Sequence, residues 1–258
     1  MPRIRKGVPG VDTKLFIKDA AKLLPDPARR HFLRGAASLG AVTFLTGCDI
    51  TGSDTAESAL RAMSKFNDRV QALIFQPNKL APEYPDSAVN RPFRFNAYYP
   101  EEDAPEVDGK DYKLEIDGLV GSKKPWTLDE LYKLPEVTQI TRHICVEGWS
   151  EIGKWSGAPL RTFLERIDAD LTAKYVYFIC AEGYSNTIDM PTALHPQTQM
   201  TFKFDGKILP KAYGYPMKVR IPTRLGFKNP KYVVSLEVTN DYKGGYWENQ
   251  GYNDYSGL

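Results

Sequence analysis

Short segments with the pattern of β-strands, separated by turn residues, constrain the fold of this chain more than any other feature. Residues 112–117 alternate between apolar and polar side chains and end at Gly118, which is typical of a half-buried strand. Residues 174–180 are mostly β-branched or aromatic and indicate a buried strand. Nineteen prolines and twenty glycines supply turns. The pattern therefore favours a strand-rich fold over a helical bundle.

Helical signals within this part of the chain are few and short. Thr127 followed by Glu130 is a capping-box pattern, which predicts a helix from there through Leu134. Pro159 suits the first turn of a helix predicted over residues 160–167. Further strands are predicted over residues 137–145, 200–204, 219–222 and 232–238. Short strands joined by short helices predict a single mixed α+β domain. A doubly wound sheet is disfavoured, because the sequence has neither long helices between strands nor a GxGxxG motif.

The N-terminal region has the pattern of an export signal. Arg29 and Arg30, followed by an uncharged stretch over residues 35–47, resemble a twin-arginine signal peptide. The stretch is too short to span a bilayer. It ends in Leu-Thr-Gly-Cys48, which resembles a lipobox and predicts lipidation of Cys48. Simple cleavage nearby, or a surface helix beginning after Pro27, are the alternatives. The protein is thus predicted to be periplasmic or extracytoplasmic, with a lipid anchor to the inner membrane if Cys48 is lipidated.

The predicted organisation has three parts: a twin-arginine signal peptide with its lipobox over residues 1–48, a tether and linker over 49–90, and a single folded domain over 91–258. A short helix is expected within the tether over residues 58–74. The net charge is +2, with lysine and arginine scattered along the chain, so a nucleic-acid partner is excluded.

Cys145 is the strongest candidate for a chemically active residue. It ends a predicted strand and enters a turn that contains glycine and tryptophan, while Arg142 and His143 lie close enough to favour the thiolate. A thiolate is a nucleophile or a soft metal ligand, and a buried apolar cysteine is the alternative. A cysteine hydrolase with His143 as base is disfavoured, because side chains two apart on a strand share a face and leave little room for a substrate. The three cysteines form no CxxC pair, which gives no support to a zinc-finger or iron–sulfur site.

Four ordered motifs carry a family resemblance. They are Arg142-x-x-Cys-Val-Glu-x-Trp-Ser with Trp155-x-Gly-x-Pro-Leu, Ala193-Leu-His-Pro, Leu209-Pro-x-x-x-Gly-Tyr-Pro and Gly226-Phe-Lys-Asn-Pro-Lys. Together they resemble the sulfite-oxidase-fold molybdopterin-dependent oxidoreductases, and are most similar to the periplasmic protein-methionine-sulfoxide reductase catalytic subunits. The resemblance covers roughly residues 91–258 and implies a sulfite-oxidase-type molybdopterin-binding fold.

The resemblance implies roles for particular residues. Cys145 would be the thiolate ligand to a molybdenum that also carries the dithiolene of one pterin, and Glu147 would orient a water or accept a proton. Lys218 and Lys231 would oppose the cofactor phosphate. The implied cofactor-binding residues are Asn96, Tyr99, Cys145, Cys180, His195, Lys218, Asn229, Pro230 and Lys231.

Several of these roles have alternatives. Cys180 is equally well explained as a small buried hydrophobe, and His195 as a cap on a short helix. The turn containing Asn229 and Pro230 could hold phosphate oxygens through its backbone amides. Arg220 and Arg224 could share the anionic task or lie in solvent. The aromatic residues Trp149, Trp155, Tyr184, Tyr246, Trp247 and Tyr252 would line an access funnel or serve in packing.

The function implied is that of an exported molybdenum-cofactor oxidoreductase performing two-electron oxygen-atom transfer, with reduction of a protein or small-molecule sulfoxide as the leading version. Electrons would come from a separate partner such as a membrane haem protein, because no haem-binding CxxCH and no flavin or nicotinamide fingerprint occurs. A sulfite-type dehydrogenase, which needs arginines in its substrate pocket, is one alternative. A cofactor-free ligand-binding lipoprotein is the other.

Overall fold

The structure is a computed structural model that describes residues 53–258, with side chains from residue 57 onward. Residues 61–258 form one compact unit. The predicted twin-arginine motif, the uncharged stretch, the lipobox and Cys48 lie outside the described residues, and so they remain predictions.

Two sheets, one mixed and one antiparallel, organise the described part of the chain. The first sheet has the strand order β2–β1–β10–β5–β6, in which only the contact of β1 with β10 is parallel. Glu115 lies opposite Ser235 in that parallel pair. The strands are β1 Lys113–Gly118, β2 Trp126–Thr127, β5 Tyr175–Cys180, β6 Ser185–Asp189 and β10 Val233–Thr239.

The second sheet is antiparallel, with the order β3–β4–β7–β8 and with β9 also paired to β7. Its strands are β3 Val137–Ile144, β4 Ser150–Pro159, β7 Gln199–Phe204, β8 Lys207–Ile208 and β9 Lys218–Arg220. Sequence patterns did not predict β4, because its two glycines and a proline hide the alternation of its side chains. The strand is nevertheless the centre of the sheet, paired to β3 on one side and β7 on the other.

Four α-helices occur in the described residues: α1 Ser53–Ile74, α2 Leu128–Tyr132, α3 Leu160–Arg166 and α4 Met190–Ala193. The predicted capping box is confirmed, since the Thr127 side chain and the Glu130 side chain each accept from the other's backbone N–H. Pro159 occupies the N-cap of α3, next to its predicted first turn. None of the helices within residues 53–258 is long and apolar enough to cross a membrane.

The main core lies between apolar faces of the strands and the short helices. Leu114, Val176 and Leu236 on three neighbouring strands are fully buried in it, together with Phe163 of α3. A smaller cluster beside it contains Phe93, Trp155, Phe204 and Leu209. Mixed sheets with few short helices confirm the predicted α+β class.

Residues 76–92, predicted as a linker, are tied to the second sheet. The Ala81 N–H donates to the side chain of Gln197 at 2.8 Å, and the Asn90 side chain accepts from the Ile152 N–H at 2.8 Å. Arg91 donates to both carboxylate oxygens of Asp205 at 2.7 Å. The predicted boundary at residue 91 remains a prediction, but the segment before it already belongs to the compact unit.

Candidate active site

Cys145 is presented by the hairpin between β3 and β4. Its backbone N–H donates to the Trp149 carbonyl at 2.9 Å, and the Gly148 N–H donates to the Cys145 carbonyl at 3.1 Å. Gly148 has a φ of 88°, in the left-handed region that favours glycine. The turn therefore sets the thiol at the end of the strand, where it lines a cavity.

A second hairpin with the same local chemistry faces the same cavity. Between β5 and β6, the Cys180 N–H donates to the Tyr184 carbonyl at 2.9 Å and the Gly183 N–H to the Cys180 carbonyl at 3.1 Å. Both turns read Cys-x-Glu-Gly-aromatic. This repetition is a sequence signal for Glu182, a cavity residue that the sequence analysis missed.

The cavity has a volume of about 270 Å³ and is bounded by both hairpins, the segment 96–99 and the turn at 226–231. Seven of the predicted cofactor residues line it: Asn96, Tyr99, Cys145, Lys218, Asn229, Pro230 and Lys231. Glu147 lines it as well. The fold thus brings most of the predicted site together from segments far apart in the chain.

One wall of the cavity contains two buried lysines, Lys218 and Lys231. Lys218 is buried, and the charges acting on it are those of Lys231 and Arg220, which together with burial lower its pKa well below the usual lysine range. Burial also lowers the pKa of Lys231 to about 8. Gly214, at a φ of 115°, lies where an added Cβ would be 2.9 Å from Lys231 and 3.2 Å from Lys218. A bound anion would favour the charged forms of these two buried lysines, so this wall is suited to an anion.

Arg220 and Asn229 build the floor behind these lysines. Arg220 donates to the Asn229 side-chain oxygen at 2.8 Å and to the Arg142 carbonyl at 2.6 Å. The same Asn229 oxygen accepts from the Ile221 N–H, and the Asn229 N–H donates to the Gly226 carbonyl. The Asn229 N–H is thus already used within the turn, and the role of this turn's backbone in holding phosphate stays a prediction.

A buried histidine lies beside the predicted pterin segment. The Asn96 amide nitrogen is 2.6 Å from His143 Nε2, and burial lowers the pKa of His143 well below the usual range, so the neutral ring accepts this bond. Gly226 permits the contact, because an added Cβ there would be 2.6 Å from the ring. His143 is thus a positioning residue for Asn96.

The expectation that neighbouring charges favour the Cys145 thiolate is wrong. Burial raises the pKa of Cys145, and the nearby Glu147 carboxylate adds to the effect, accepting from the thiol at 3.8 Å. The Arg142 guanidinium lies over the Tyr84 ring at 5.2 Å, away from the thiol on the strand. Glu147 itself is exposed and accepts from the Trp149 indole at 2.8 Å. The positive charge of a bound metal ion would counteract this shift and favour the thiolate.

Three predicted anion or cofactor residues lie elsewhere. Cys180 is packed in the main core, which favours the small-hydrophobe alternative. His195 does not line the cavity: its ring Nδ1 accepts from the Gln197 N–H and its Nε2 lies 3.0 Å from the Lys79 carbonyl. Arg224 is buried between the rings of Phe75 and Tyr255, so it neither shares the anionic task nor lies in solvent.

Only some of the predicted aromatic residues line the cavity. Tyr184 and Trp247 line it, and Tyr98, which the sequence analysis missed, lines it while stacking on Tyr246 at a centroid distance of 4.6 Å. Trp155 is instead fully buried below Lys218, whose ammonium lies 4.8 Å from the ring. Within residues 53–258, no three His, Cys, Asp or Glu side chains are grouped so as to hold a metal ion.

Glu182 provides a pH-dependent test of this geometry. Burial raises its pKa from 4.5 to about 7, with the Lys231 charge opposing the shift. Because the folded-state pKa is raised, its contribution to stability is present below about pH 4.5 and is lost as the pH rises through 7. We therefore expect Glu182→Gln to change the melting temperature of the cofactor-free protein more favourably at pH 8 than at pH 4.5. Thermal unfolding at both pH values measures this. Equal effects of the substitution at the two pH values would contradict it, and Glu165→Gln on the exposed face of α3 is the control.

Comparisons with known proteins bear on what this cavity holds. Residues 101–247 match the family model described as oxidoreductase molybdopterin binding domain. A protein of Azospira oryzae with the provisional name protein-methionine-sulfoxide reductase subunit YedZ1 is 59% identical over 240 residues, covering 93% of this chain and 92% of that protein. The protein-methionine-sulfoxide reductase catalytic subunit MsrP of Ralstonia nicotianae is 31% identical over 160 residues. That alignment covers 56% of this chain and 48% of MsrP, so the chain matches about half of that relative.

A solved structure has a similar fold. The sulfane dehydrogenase SoxCD of Paracoccus pantotrophus aligns with a TM-score of 0.50 and 22% identity, over 54% of this chain and 40% of that one. At this identity the likeness concerns the fold alone, and it confirms the expected sulfite-oxidase-type architecture.

Proposed function

Because this chain belongs to the oxidoreductase molybdopterin-binding domain family, we propose that it holds one molybdopterin with Cys145 as the protein ligand to molybdenum and reduces a sulfoxide. The chain is an oxidoreductase, as the sequence analysis expected. The observation that supports the finer proposal is that the buried thiol of Cys145 and the buried lysines Lys218 and Lys231 line one cavity.

The residues present fit such a cofactor. Cys145 offers a soft sulfur donor, which suits a metal that changes oxidation state. Lys218 and Lys231 offer positive charge for a phosphate. Glu182 has one carboxylate oxygen that is buried without a hydrogen-bond partner among the described residues. Buried polar groups are normally satisfied, so this oxygen indicates a bound group that completes the wall.

When bound, the cofactor would supply two-electron redox chemistry at its metal. Asn96, fixed by His143, would present its remaining amide atoms to the cofactor. Tyr98, Tyr184 and Trp247 would exclude water from one side of the cavity. Reduction of a sulfoxide consumes two electrons and two protons and releases a thioether and water. Burial raises the pKa of Glu182 to about 7, so this carboxyl group would hold a proton near neutral pH and could donate it during the reduction.

Charge distinguishes a sulfoxide from sulfite as the substrate. The Glu147 carboxylate lines the cavity near Cys145 and would repel an anion such as sulfite. A sulfoxide is neutral and gains from the aromatic side chains around the cavity. Among the described residues that line the cavity there is no arginine, the residue type that a sulfite-type dehydrogenase would use there.

The electrons for the reduction would come from a separate carrier, such as a membrane haem protein. From the N-terminal pattern we propose an extracytoplasmic location.

The test is an assay of the full-length protein purified from a molybdenum-replete host. We expect about one molybdenum and one pterin per chain, and reduction of methionine sulfoxide, free or within a protein, with a reduced viologen dye as donor. Sulfite oxidation should be slower by a wide margin. Metal-free protein would contradict the cofactor assignment and favour the ligand-binding lipoprotein. Metal-replete protein that oxidises sulfite faster than it reduces sulfoxides would contradict the substrate class alone.

Lys231→Met should weaken retention of the cofactor. Hydrogen bonds to charged groups contribute about 1.5–3 kcal/mol, which corresponds to about 10- to 150-fold in affinity. Pterin released by acid from dialysed protein measures the loss, and Lys231→Arg should restore much of it. Lys211→Met, an exposed lysine paired with Glu106, is the matched control. Equal pterin content in Lys231→Met and Lys211→Met would contradict the phosphate role.

A further inference from the structure

Helix α1 exposes a continuous apolar surface, which we name the α1 outer face: Met63, Phe66, Val70, Leu73 and Ile74. Four of the side chains are strongly exposed, with Met63 at 63%, Phe66 at 65%, Leu73 at 85% and Ile74 at 68%. Spacings of three and four residues place them on one side of the helix. A contiguous exposed apolar surface of this kind is typical of an interaction site.

The other side of α1 is fixed to the C-terminal segment. The Asp68 carboxylate accepts from the backbone N–H groups of Asp254 and Tyr255 at 2.9 and 3.0 Å. The Gln71 side-chain oxygen accepts from the Gly257 N–H at 2.8 Å, and Asn253 donates to the Ser64 hydroxyl at 2.9 Å. Rotating the helix to bury the outer face would break all of these bonds. The apolar surface therefore needs an occupant from outside the 61–258 unit.

Charge and chain length indicate what that occupant is. Lys65 and Arg69 are exposed, and the helical period places them along one border of the outer face. The uncharged stretch 35–47 ends at Cys48, only a few residues before α1 begins at Ser53. An extended segment from Cys48 to Ser53 reaches at most about 18 Å. If residues 35–47 or a lipid on Cys48 hold the chain at a membrane, α1 must begin close to that membrane.

We propose that the α1 outer face lies on the surface of a phospholipid bilayer, with its apolar side chains among the acyl-chain boundary and Lys65 and Arg69 at anionic headgroups. A helix of this composition lies in the plane of the interface rather than across it. The proposal rests on the predicted membrane attachment of the N-terminus and is independent of the reaction. It means that α1 orients the redox domain relative to the membrane as well as tethering it.

The experiment measures the surroundings of α1 in the attached protein. Full-length protein is reconstituted into vesicles of phosphatidylethanolamine and phosphatidylglycerol, and an environment-sensitive fluorophore is attached to Leu73→Cys. The matched control carries the label at Ile208→Cys in β8, an apolar residue that is 59% exposed outside α1. Cys145 and Cys180 are buried, and mass spectrometry verifies that the label is at the introduced cysteine. Two quenchers are compared: a nitroxide on shallow lipid carbons and iodide in the water.

We expect the lipid nitroxide to quench the label at position 73 several-fold more than the label at position 208, with the reverse order for iodide. A label at 73 that iodide quenches as strongly as at 208 would show a water-exposed helix and overturn the proposal. A label at 73 shielded from both quenchers would show that protein covers the face, whether residues 1–52 or a second copy, and would also overturn it. Failure of the full-length protein to associate with the vesicles at all would do the same.

Discussion

Replacing Cys145 by serine is expected to abolish activity and most molybdenum binding. The substitution removes the only thiol that lines the cavity among residues 53–258, and a serine hydroxyl is a poor ligand for a soft, redox-active metal. Loss of groups that merely support a metal ligand typically costs 10- to 100-fold, so loss of the ligand should cost at least about 100-fold. Molybdenum content per chain and the rate of methionine sulfoxide reduction measure the two effects.

Cys180→Ser is a matched control for this experiment. Cys180 occupies the same position in a hairpin of the same Cys-x-Glu-Gly-aromatic sequence, and both cysteines are buried. The control protein should be less stable, because a hydroxyl enters the main core, yet it should retain molybdenum. Full molybdenum content and wild-type turnover in Cys145→Ser would contradict the ligand assignment. If both variants lost equal amounts of molybdenum, the loss would result from impaired folding rather than from the missing ligand.

Lys228→Met is expected to produce the largest loss of stability. Lys228 forms an ion pair with Glu248 in which both side chains are only 1% exposed. Glu248 also accepts from the Asn186 amide at 3.1 Å, and Lys228 donates to the Thr187 carbonyl at 2.8 Å. Breaking a buried pair by removing one partner typically costs about 3–5 kcal/mol, since the other charge stays buried and unpaired. Urea unfolding of the variant measures the free energy of unfolding directly.

A double variant separates the loss of attraction from the unpaired charge. Lys228→Met with Glu248→Leu should recover most of the stability, because an apolar pair of similar volume can replace a buried ion pair. Lys123→Met breaks an exposed pair with Asp117, and this control should change stability far less than Lys228→Met. If Lys228→Met were as stable as the Lys123→Met control, the stabilising role of the buried Lys228–Glu248 pair would be contradicted.

The same ion pair links stability to the cavity. Lys228 follows Phe227 in the turn that lines the cavity, and Glu248 follows Trp247, which lines it from another segment. The pair therefore holds two pieces of the wall at a fixed separation. We infer that the Lys228→Met variant, at temperatures where it is still folded, will also release the cofactor faster than wild type.

Local patterns were sufficient to predict most strands and to single out Cys145 as a candidate. Alternation over residues 112–117 and the capping box at Thr127 depend on neighbours only a few residues apart, and the structure has both features where the patterns predicted them. The family motif around Cys145 likewise lies within one hairpin. Where glycines and a proline broke the alternation, as in β4, the local signal was lost although the strand is central to its sheet.

The family motifs named several of the cavity residues, but only the tertiary structure decided how they meet and which other side chains join them. Lys218 and Lys231 meet because the chain returns past Gly214, and Glu182 joins them because its hairpin belongs to the other sheet. The structure also placed His195 beside Lys79 and Arg224 beside Phe75, away from the cavity. It turned the Arg142 side chain away from the Cys145 thiol. The reason is physical: periodicity and capping are local, whereas burial, pKa shifts and the convergence of charges depend on long-range strand pairing, which local patterns do not encode.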